Sequence, residues 1–393
     1  MNWHWGTAVL AGSLLGALLW SVPGQAEDGW QALVPPDTGG GLILSPCMIG
    51  AGSSKPFLAW AGTGNGTSAS YTLPEFTFSV WQGKEWTPPK APFFGNFINN
   101  VRCVAVGMAR YNVGAVYMRN TEQSKTTFEV LFTASGDKGW SFTKPAVADS
   151  FNHEDAGGTA VAMAGVGGVK PMFMMGWLSE AHTVKTAIWN PAEKLDRPRA
   201  ENVGKYGSGC ERLQLCGENK NGFLAAWNDG RNLMTAYMSP LVGTNEGANS
   251  LINAKIGYNF ALTDYRGKDP KLVFELPKLR KGEGARRQVY VWKDKQWERI
   301  PAAPPSKGEK PCPARLEACQ DEQGNIHVAS LTKSGEQVLY SCLRDGRFSE
   351  PEVVMDLRQV LGVTGLDIAY SDNYVYVTAS QGPYMHISRR RIK

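Results

Sequence analysis

The sequence predicts an all-β fold in which similar sheets form a ring, a β-propeller. Three observations predict it: a pattern that recurs about every 52 residues, seven short apolar strands in phase with that pattern, and a composition rich in aromatic and turn-forming residues. The 393 residues include 13 Trp, 13 Tyr, 44 Gly and 23 Pro. This composition favours strands and turns over helices, and a period in this range is typical of propeller blades.

The recurring pattern is a turn followed by an aromatic residue, which we call the closing aromatic. Its best example is Ser135-Gly136-Asp137-Lys138-Gly139-Trp140-Ser141-Phe142, and related segments run over Ser79–Trp86, Tyr290–Trp297 and Ser341–Phe348. The closing aromatics at 86, 142, 297 and 348 are separated by 56, 155 and 51 residues. The middle step is close to three periods of about 52 residues, so all four turns share one register.

The second pattern is a series of short apolar strands, most of them followed by a hairpin turn and another apolar strand. We expect the inner strands of the blades to begin near Leu42, Val101, Thr159, Arg212, Asn259, Arg315 and Leu366. Seven inner strands predict seven blades. The last blade, residues 364–393, is one strand short, and a strand around 30–34 would complete it and close the ring, which removes open sheet edges.

The N-terminus predicts export. Residues 1–26 contain no Asp, Glu, Lys or Arg, and Thr7–Val22 is apolar, which is short for a membrane span. We interpret residues 1–26 as a signal peptide cleaved after Ala26, and residues 27–393 as a single β-propeller domain. The protein is therefore expected to be secreted or periplasmic and to lack a transmembrane anchor after cleavage; an uncleaved N-terminal anchor is the alternative.

The turn at 135–142 resembles the Asp-box (BNR repeat) of sialidase-like β-propellers. Ser135, Asp137, Gly139 and Phe142 occupy the positions of the pattern Ser-x-Asp-x-Gly-x-Thr-aromatic, with Ser141 in place of the threonine. The resemblance implies that Asp137 is structural, because such turns lie on the face opposite to the usual ligand site. Sialidases have six blades, so six blades with one strand wrongly assigned is the alternative to seven.

Three predicted inner strands begin with an arginine: Arg102, Arg212 and Arg315. If they converge on one axis, they would form a clamp for a carboxylate or sulfate, and they look like the arginine trio with which sialidases hold their substrate. The alternative is that each arginine points outward, or pairs with a nearby Glu or backbone carbonyl.

Catalytic candidates are less well defined. Glu211 matches loosely the sialidase glutamate that activates the nucleophile, and Glu154 and Asp155 adjoin His153 in a loop on the expected ligand side. A second ligand-side loop carries Asp229 and Arg231. The motif that supplies the first sialidase arginine is absent, and neither the nucleophile nor the acid that a retaining mechanism requires has a secure position.

These observations favour a non-catalytic recognition module that binds a glycan or partner protein at the central depression, with an anionic ligand suggested by the arginines. The alternative is a glycoside hydrolase with a rearranged active site. The five His are not at metal-ligand spacing and no Cys-x-x-Cys occurs, so we expect no metal site and no cofactor. A net charge of +5 is mild, and no nucleic-acid partner is expected. The seven cysteines could form disulfides after export.

Overall fold

The protein is a seven-bladed, all-β propeller, as predicted. The computed structural model describes residues 29–50, 55–63, 72–96, 101–109, 112–121, 126–152, 160–167, 171–190, 200–207, 210, 212–218, 222–239, 244–252, 259–263, 265, 268–277, 286–305, 313–357 and 362–392. Each blade is an antiparallel sheet. The inner strands of successive blades contact one another all the way round, and the last inner strand contacts the first. The alternative of six blades is therefore wrong.

The first three blades follow the chain in order. The strand β1 (Gln31–Leu33) precedes them. Blade 1 contains β2 (Leu42–Ile49), β3 (Phe57–Thr63) and β5 (Thr77–Val80), and a separate ladder pairs β4 (Thr72–Pro74) with β6 (Phe94–Asn96). Blade 2 contains β7 (Val101–Ala109), β8 (Asn112–Asn120), β9 (Thr127–Ser135) and β10 (Ala146–Asn152). Blade 3 contains β11 (Val161–Gly167), β12 (Pro171–Ser179), β13 (Thr183–Trp189) and β14 (Ala200–Lys205). A 3₁₀ turn at Glu180–His182 joins β12 to β13.

The remaining four blades complete the ring. Blade 4 contains β15 (Leu213–Gly217), β16 (Phe223–Asn228), β17 (Leu233–Ser239) and β18 (Thr244–Ile252). Blade 5 contains β19 (Phe260–Thr263), β20 (Lys271–Glu275), β21 (Arg287–Lys293) and β22 (Gln296–Arg299). Blade 6 contains β23 (Arg315–Gln320), β24 (Ile326–Leu331), β25 (Gln337–Arg344), β26 (Arg347–Phe348) and β27 (Glu352–Asp356). Blade 7 contains β28 (Val363–Ser371), β29 (Tyr374–Gln381) and β30 (Tyr384–Arg391), with β1 as its outer strand.

The ring closes by the predicted N-terminal strand. In β1, Gln31 pairs with Arg389 and Leu33 with Ile387 of β30. This pairing joins the beginning of the described chain to its end. It also covers the outer edge of β30, which would otherwise expose unpaired backbone groups.

Apolar side chains hold neighbouring blades together. Within the described residues they form seven clusters, one in each seam between two blades. Trp177 and Trp227 are fully buried in two of these seams. Alternation along each strand places one set of side chains toward each adjacent blade, and burial of a large side chain contributes roughly 1.5–3 kcal/mol.

Polar networks supplement the apolar seams. Asp149 of blade 2 accepts hydrogen bonds from Trp177 Nε1 (2.8 Å) and Lys185 Nζ (2.9 Å) of blade 3. In blade 6 the buried His327 contacts Asp321 (3.1 Å) and the Tyr340 hydroxyl (2.7 Å). Each network satisfies polar groups that would be costly to bury without a partner.

Six cysteines lie within the described residues, and none of them forms a disulfide. The disulfides that the sequence suggested are therefore not formed among these six. Cys312 lies outside the described residues, as does the whole predicted signal peptide.

Within the part of the chain that the structure describes, no helix is long and apolar enough to cross a membrane.

Candidate functional site

Two of the three predicted arginines meet at the N-terminal ends of the inner strands. Arg212, just before β15 of blade 4, donates to Glu317 Oε2 (2.7 Å) and to the Leu316 carbonyl oxygen (2.8 Å) of blade 6. Arg315, the first residue of β23, donates from Nε to the other oxygen of Glu317 (2.9 Å). One carboxylate thus binds both guanidinium groups.

Strand alternation explains how these side chains converge. Gln214 lies two residues after Arg212, and Glu317 lies two residues after Arg315, so each pair shares a face of its strand. Gln214 Nε2 donates to Glu317 (3.0 Å), and Gln214 Oε1 accepts from the Leu262 amide of blade 5 (2.6 Å). Side chains of blade 4 thus contact the inner strand of blade 5 as well as that of blade 6.

Asp367 of blade 7 is the second carboxyl near the axis. Its oxygens accept hydrogen bonds from the amides of Met48 in blade 1 (2.6 Å) and of Ile368 (2.8 Å). Burial, and then the negative charge of Glu317, raise the pKa of Asp367 to about 7, because both disfavour the ionised form. Its side chain keeps partial contact with solvent. We call Arg212, Gln214, Arg315, Glu317 and Asp367 the axial cluster.

The axial cluster also binds backbone groups of neighbouring inner strands. Each inner strand is the edge of its blade at the axis of the ring. Its N–H and C=O groups on that edge have no neighbouring strand of the same blade, so they need other partners. Asp367 and Gln214 supply acceptors to blades 1 and 5, and the Cys47 sulfur is hydrogen-bonded by the Val106 backbone of blade 2. Burial raises the pKa of Cys47 well above its ordinary value, so this thiol stays protonated.

Exposure differs sharply within the cluster. The side chains of Arg212 and Glu317 are 6% and 7% exposed, whereas that of Arg315 is 31% exposed. Arg212 also packs over the Phe260 ring, with its guanidinium carbon 5.1 Å from the ring centroid. Arg212 and Glu317 are therefore the buried ion pair of the cluster, and Arg315 is its solvent-exposed arginine.

The other predicted ligand-binding residues lie apart from these contacts. Arg102, on β7 at a register shift between Val101 and Cys103, is exposed. Asp229 binds its own turn, accepting from the Arg231 amide (2.9 Å) and the Asn232 amide (2.6 Å). The Arg231 side chain is exposed. Four further candidates lie outside the described residues: His153, Glu154, Asp155 and Glu211.

The turn that resembles an Asp-box lies at the other end of its blade. Asp137 accepts hydrogen bonds from the Ser135 hydroxyl (2.6 Å), the Ser141 hydroxyl (2.6 Å) and the Ser141 amide (2.8 Å), which lower its pKa to about 2. Ser135 pairs with Val113 of β8, and Val113 lies beside the C-terminal end of β7. Arg102 lies near the N-terminal end of β7. Asp137 is thus bound within its own turn.

The related turns close corresponding hairpins in other blades. Antiparallel pairs link Trp297 to Trp292 and Phe348 to Leu343 of the preceding strands. An isolated bridge links Trp86 to Trp81, the residue directly after β5.

Reasoning from the sequence missed Glu317 and Gln214 as site residues. A signal was present, because Arg212-Leu213-Gln214 and Arg315-Leu316-Glu317 repeat the order Arg-Leu-polar at the start of two inner strands. Among the described residues, no group of three or more His, Cys, Asp or Glu is arranged to hold a metal ion.

Comparison with known proteins gives relatives by structure alone. No protein-family model matches the sequence, and comparison with curated proteins gives no match. Solved structures match over most of the chain. A Dyadobacter fermentans DSM 18053 protein of unknown function has a TM-score of 0.52 and 11% identity, covering 93% of this chain and 100% of that one. A Penicillium chrysogenum α-L-arabinanase, complexed with arabinobiose, has a TM-score of 0.50 and 12% identity, covering 94% and 99%.

A third structural relative is the Hadza microbial sialidase Hz136, with a TM-score of 0.51 and 8% identity. The match covers 89% of this chain and 66% of the sialidase, so the chain spans just under two thirds of that protein's length. At such identities the likeness concerns the fold. The chain therefore shares the β-propeller fold of these three proteins.

Proposed function

We propose that the protein is a carbohydrate-binding β-propeller that recognises a glycan at the axial cluster without transforming it. The observation that carries this proposal is that the two carboxyl groups of the cluster are already bound internally. Glu317 accepts from Arg212, Gln214 and Arg315, and Asp367 accepts from two backbone amides. A general acid or base must instead reach the atom from which it takes, or to which it gives, a proton.

Carbohydrate is the ligand class that the structural relatives support, since they include a sialidase and an arabinanase. Arg315 offers partly exposed donors to sugar hydroxyls at the axis. We also propose that the turn at 135–142 is an Asp-box that fastens blade 2, and that its distance from the axial cluster separates the structural turn from the binding site.

The test uses binding and turnover on the same protein. We expect Arg315→Ala to weaken glycan binding at least tenfold on a glycan array followed by calorimetry. Arg344→Ala is the matched control, because Arg344 is exposed at the other end of the same blade, and it should bind as the original protein does. Release of sugar from fluorogenic glycosides, including a sialoside, would contradict the non-catalytic proposal.

One observation favours a glycoside hydrolase as the second candidate. A carboxyl with a pKa of about 7, such as Asp367, is still partly protonated near neutral pH, and a general acid must carry a proton. If turnover is detected, Asp367→Asn should abolish it. The earlier candidates Glu211, Glu154 and Asp155 would then be tested by the corresponding amides.

We further propose that the protein is exported through residues 1–26, which support this by their apolar, charge-free composition. The mass of the protein recovered outside the cytoplasm should correspond to a chain that begins at Glu27. Recovery of the full-length chain in the membrane fraction would instead indicate an N-terminal anchor.

A further inference from the structure

We propose that the axial cluster selects an uncharged glycan and discriminates against acidic sugars. This inference rests on the proposed carbohydrate-binding function and specifies its ligand class. It differs from what the arginines suggest in the sequence alone, where three positive charges predict an anionic ligand.

The charges of the axial cluster partly neutralise one another. Two arginines, Arg212 and Arg315, bind the single carboxylate of Glu317, one to each of its oxygens. Asp367 lies close enough to Arg212, Arg315 and Glu317 for a charge interaction with each of them. Glu317 therefore already neutralises part of the arginines' positive charge. A ligand would interact only with the charge that remains.

An acidic ligand would compete with Glu317 for the arginines. A ligand carboxylate that bound Arg212 would have to displace Glu317, whose side chain is only 7% exposed. Glu317 would then be a buried charge that has lost its buried charged partner and keeps only Arg315 and Gln214, which is unfavourable. A ligand carboxylate that bound Arg315 without displacement would lie beside Glu317, and two like charges at that separation repel each other.

The cluster presents both hydrogen-bond donors and acceptors to a neutral ligand. An arginine beside a carboxylate presents N–H donors next to acceptor oxygens, and a sugar hydroxyl both donates and accepts. A hydroxyl, or two on neighbouring ring carbons, can therefore add hydrogen bonds at Arg315 without breaking the Arg315–Glu317 contact of 2.9 Å. Binding of this kind leaves the buried ion pair of Arg212 and Glu317 intact.

The experiment compares matched neutral and acidic sugars on the full chain. The probes are galactobiose against digalacturonate, and lactose against 3′-sialyllactose, each measured by calorimetry at pH 7.5. We expect the neutral member of at least one pair to bind at least tenfold more tightly than its acidic partner. Binding of a neutral sugar should also change less than twofold between 50 and 500 mM NaCl, since no ion pair forms with the ligand.

The variant Glu317→Gln removes the competing charge. We expect it to improve binding of the acidic member at least tenfold relative to the neutral one. If this variant does not fold, the salt dependence of the original protein still decides the question. Tighter binding of the acidic member, or a tenfold loss of affinity in high salt, would overturn the inference and leave carbohydrate binding standing. Absence of binding to every sugar on the array would overturn both.

Discussion

At the scale of single residues, Asp367 couples the stability of the ring to pH. Its pKa is raised to about 7 from an ordinary value of 3.8, so between these values the folded protein keeps a proton that the unfolded chain releases. Stability from this group is therefore full near pH 4, falls as the pH rises to about 7, and is constant above. At about 1.4 kcal/mol per pH unit, the loss is at most about 4 kcal/mol.

The substitution Asp367→Asn removes this titration. We expect the variant to gain stability relative to the original protein as the pH rises from 4.5 to 8, measured by urea unfolding at each pH. Asp372→Asn, at an exposed turn of the same blade, is the control and should follow the original curve. Identical pH dependence in the original protein and in Asp367→Asn would show that Asp367 does not titrate in this range.

At the scale of elements, the turn at 135–142 depends on the missing side chain of Gly139. Gly139 has φ of +90°, and an added Cβ would lie 2.6 Å from the Phe57 ring of blade 1. Gly83 occupies the corresponding turn of blade 1 with φ of +98°, and nothing lies within 4 Å of its added Cβ. Both sites strain the backbone of an alanine, but only Gly139→Ala also overpacks a seam. We expect its urea midpoint to indicate about 1–3 kcal/mol more destabilisation than Gly83→Ala; equal losses would assign the whole effect to backbone strain.

The starting positions of strands can be predicted from the sequence. The predicted strand starts at Val101 and Arg315 coincide with β7 and β23, because alternation and turn residues are local signals. The axial contacts could not be predicted in this way. Arg212 and Glu317 are 105 residues apart, and their contact depends on how blades 4 and 6 face each other.

At the scale of the whole molecule, stability depends on closing the ring through β1. Leu33 is 8% exposed and packs in the seam between blades 7 and 1, and the neighbouring Val34 is 86% exposed. Gln31 accepts a hydrogen bond from Arg389 Nε (2.9 Å), whose guanidinium stacks between Trp81 and Tyr374. This strand therefore links the last blade to the first through both backbone and side-chain contacts.

Because β1 has only three residues, one buried side chain carries much of its apolar contact. Leu33→Ala should cost about 2–4 kcal/mol in urea unfolding, whereas Val34→Ala, the matched control, should change stability by less than about 0.5 kcal/mol. Loss of β1 pairing also exposes the edge of β30, so Leu33→Ala should form more oligomers at high concentration by light scattering. If both alanine variants unfold at the same urea concentration, blade 7 holds the ring closed without its N-terminal strand.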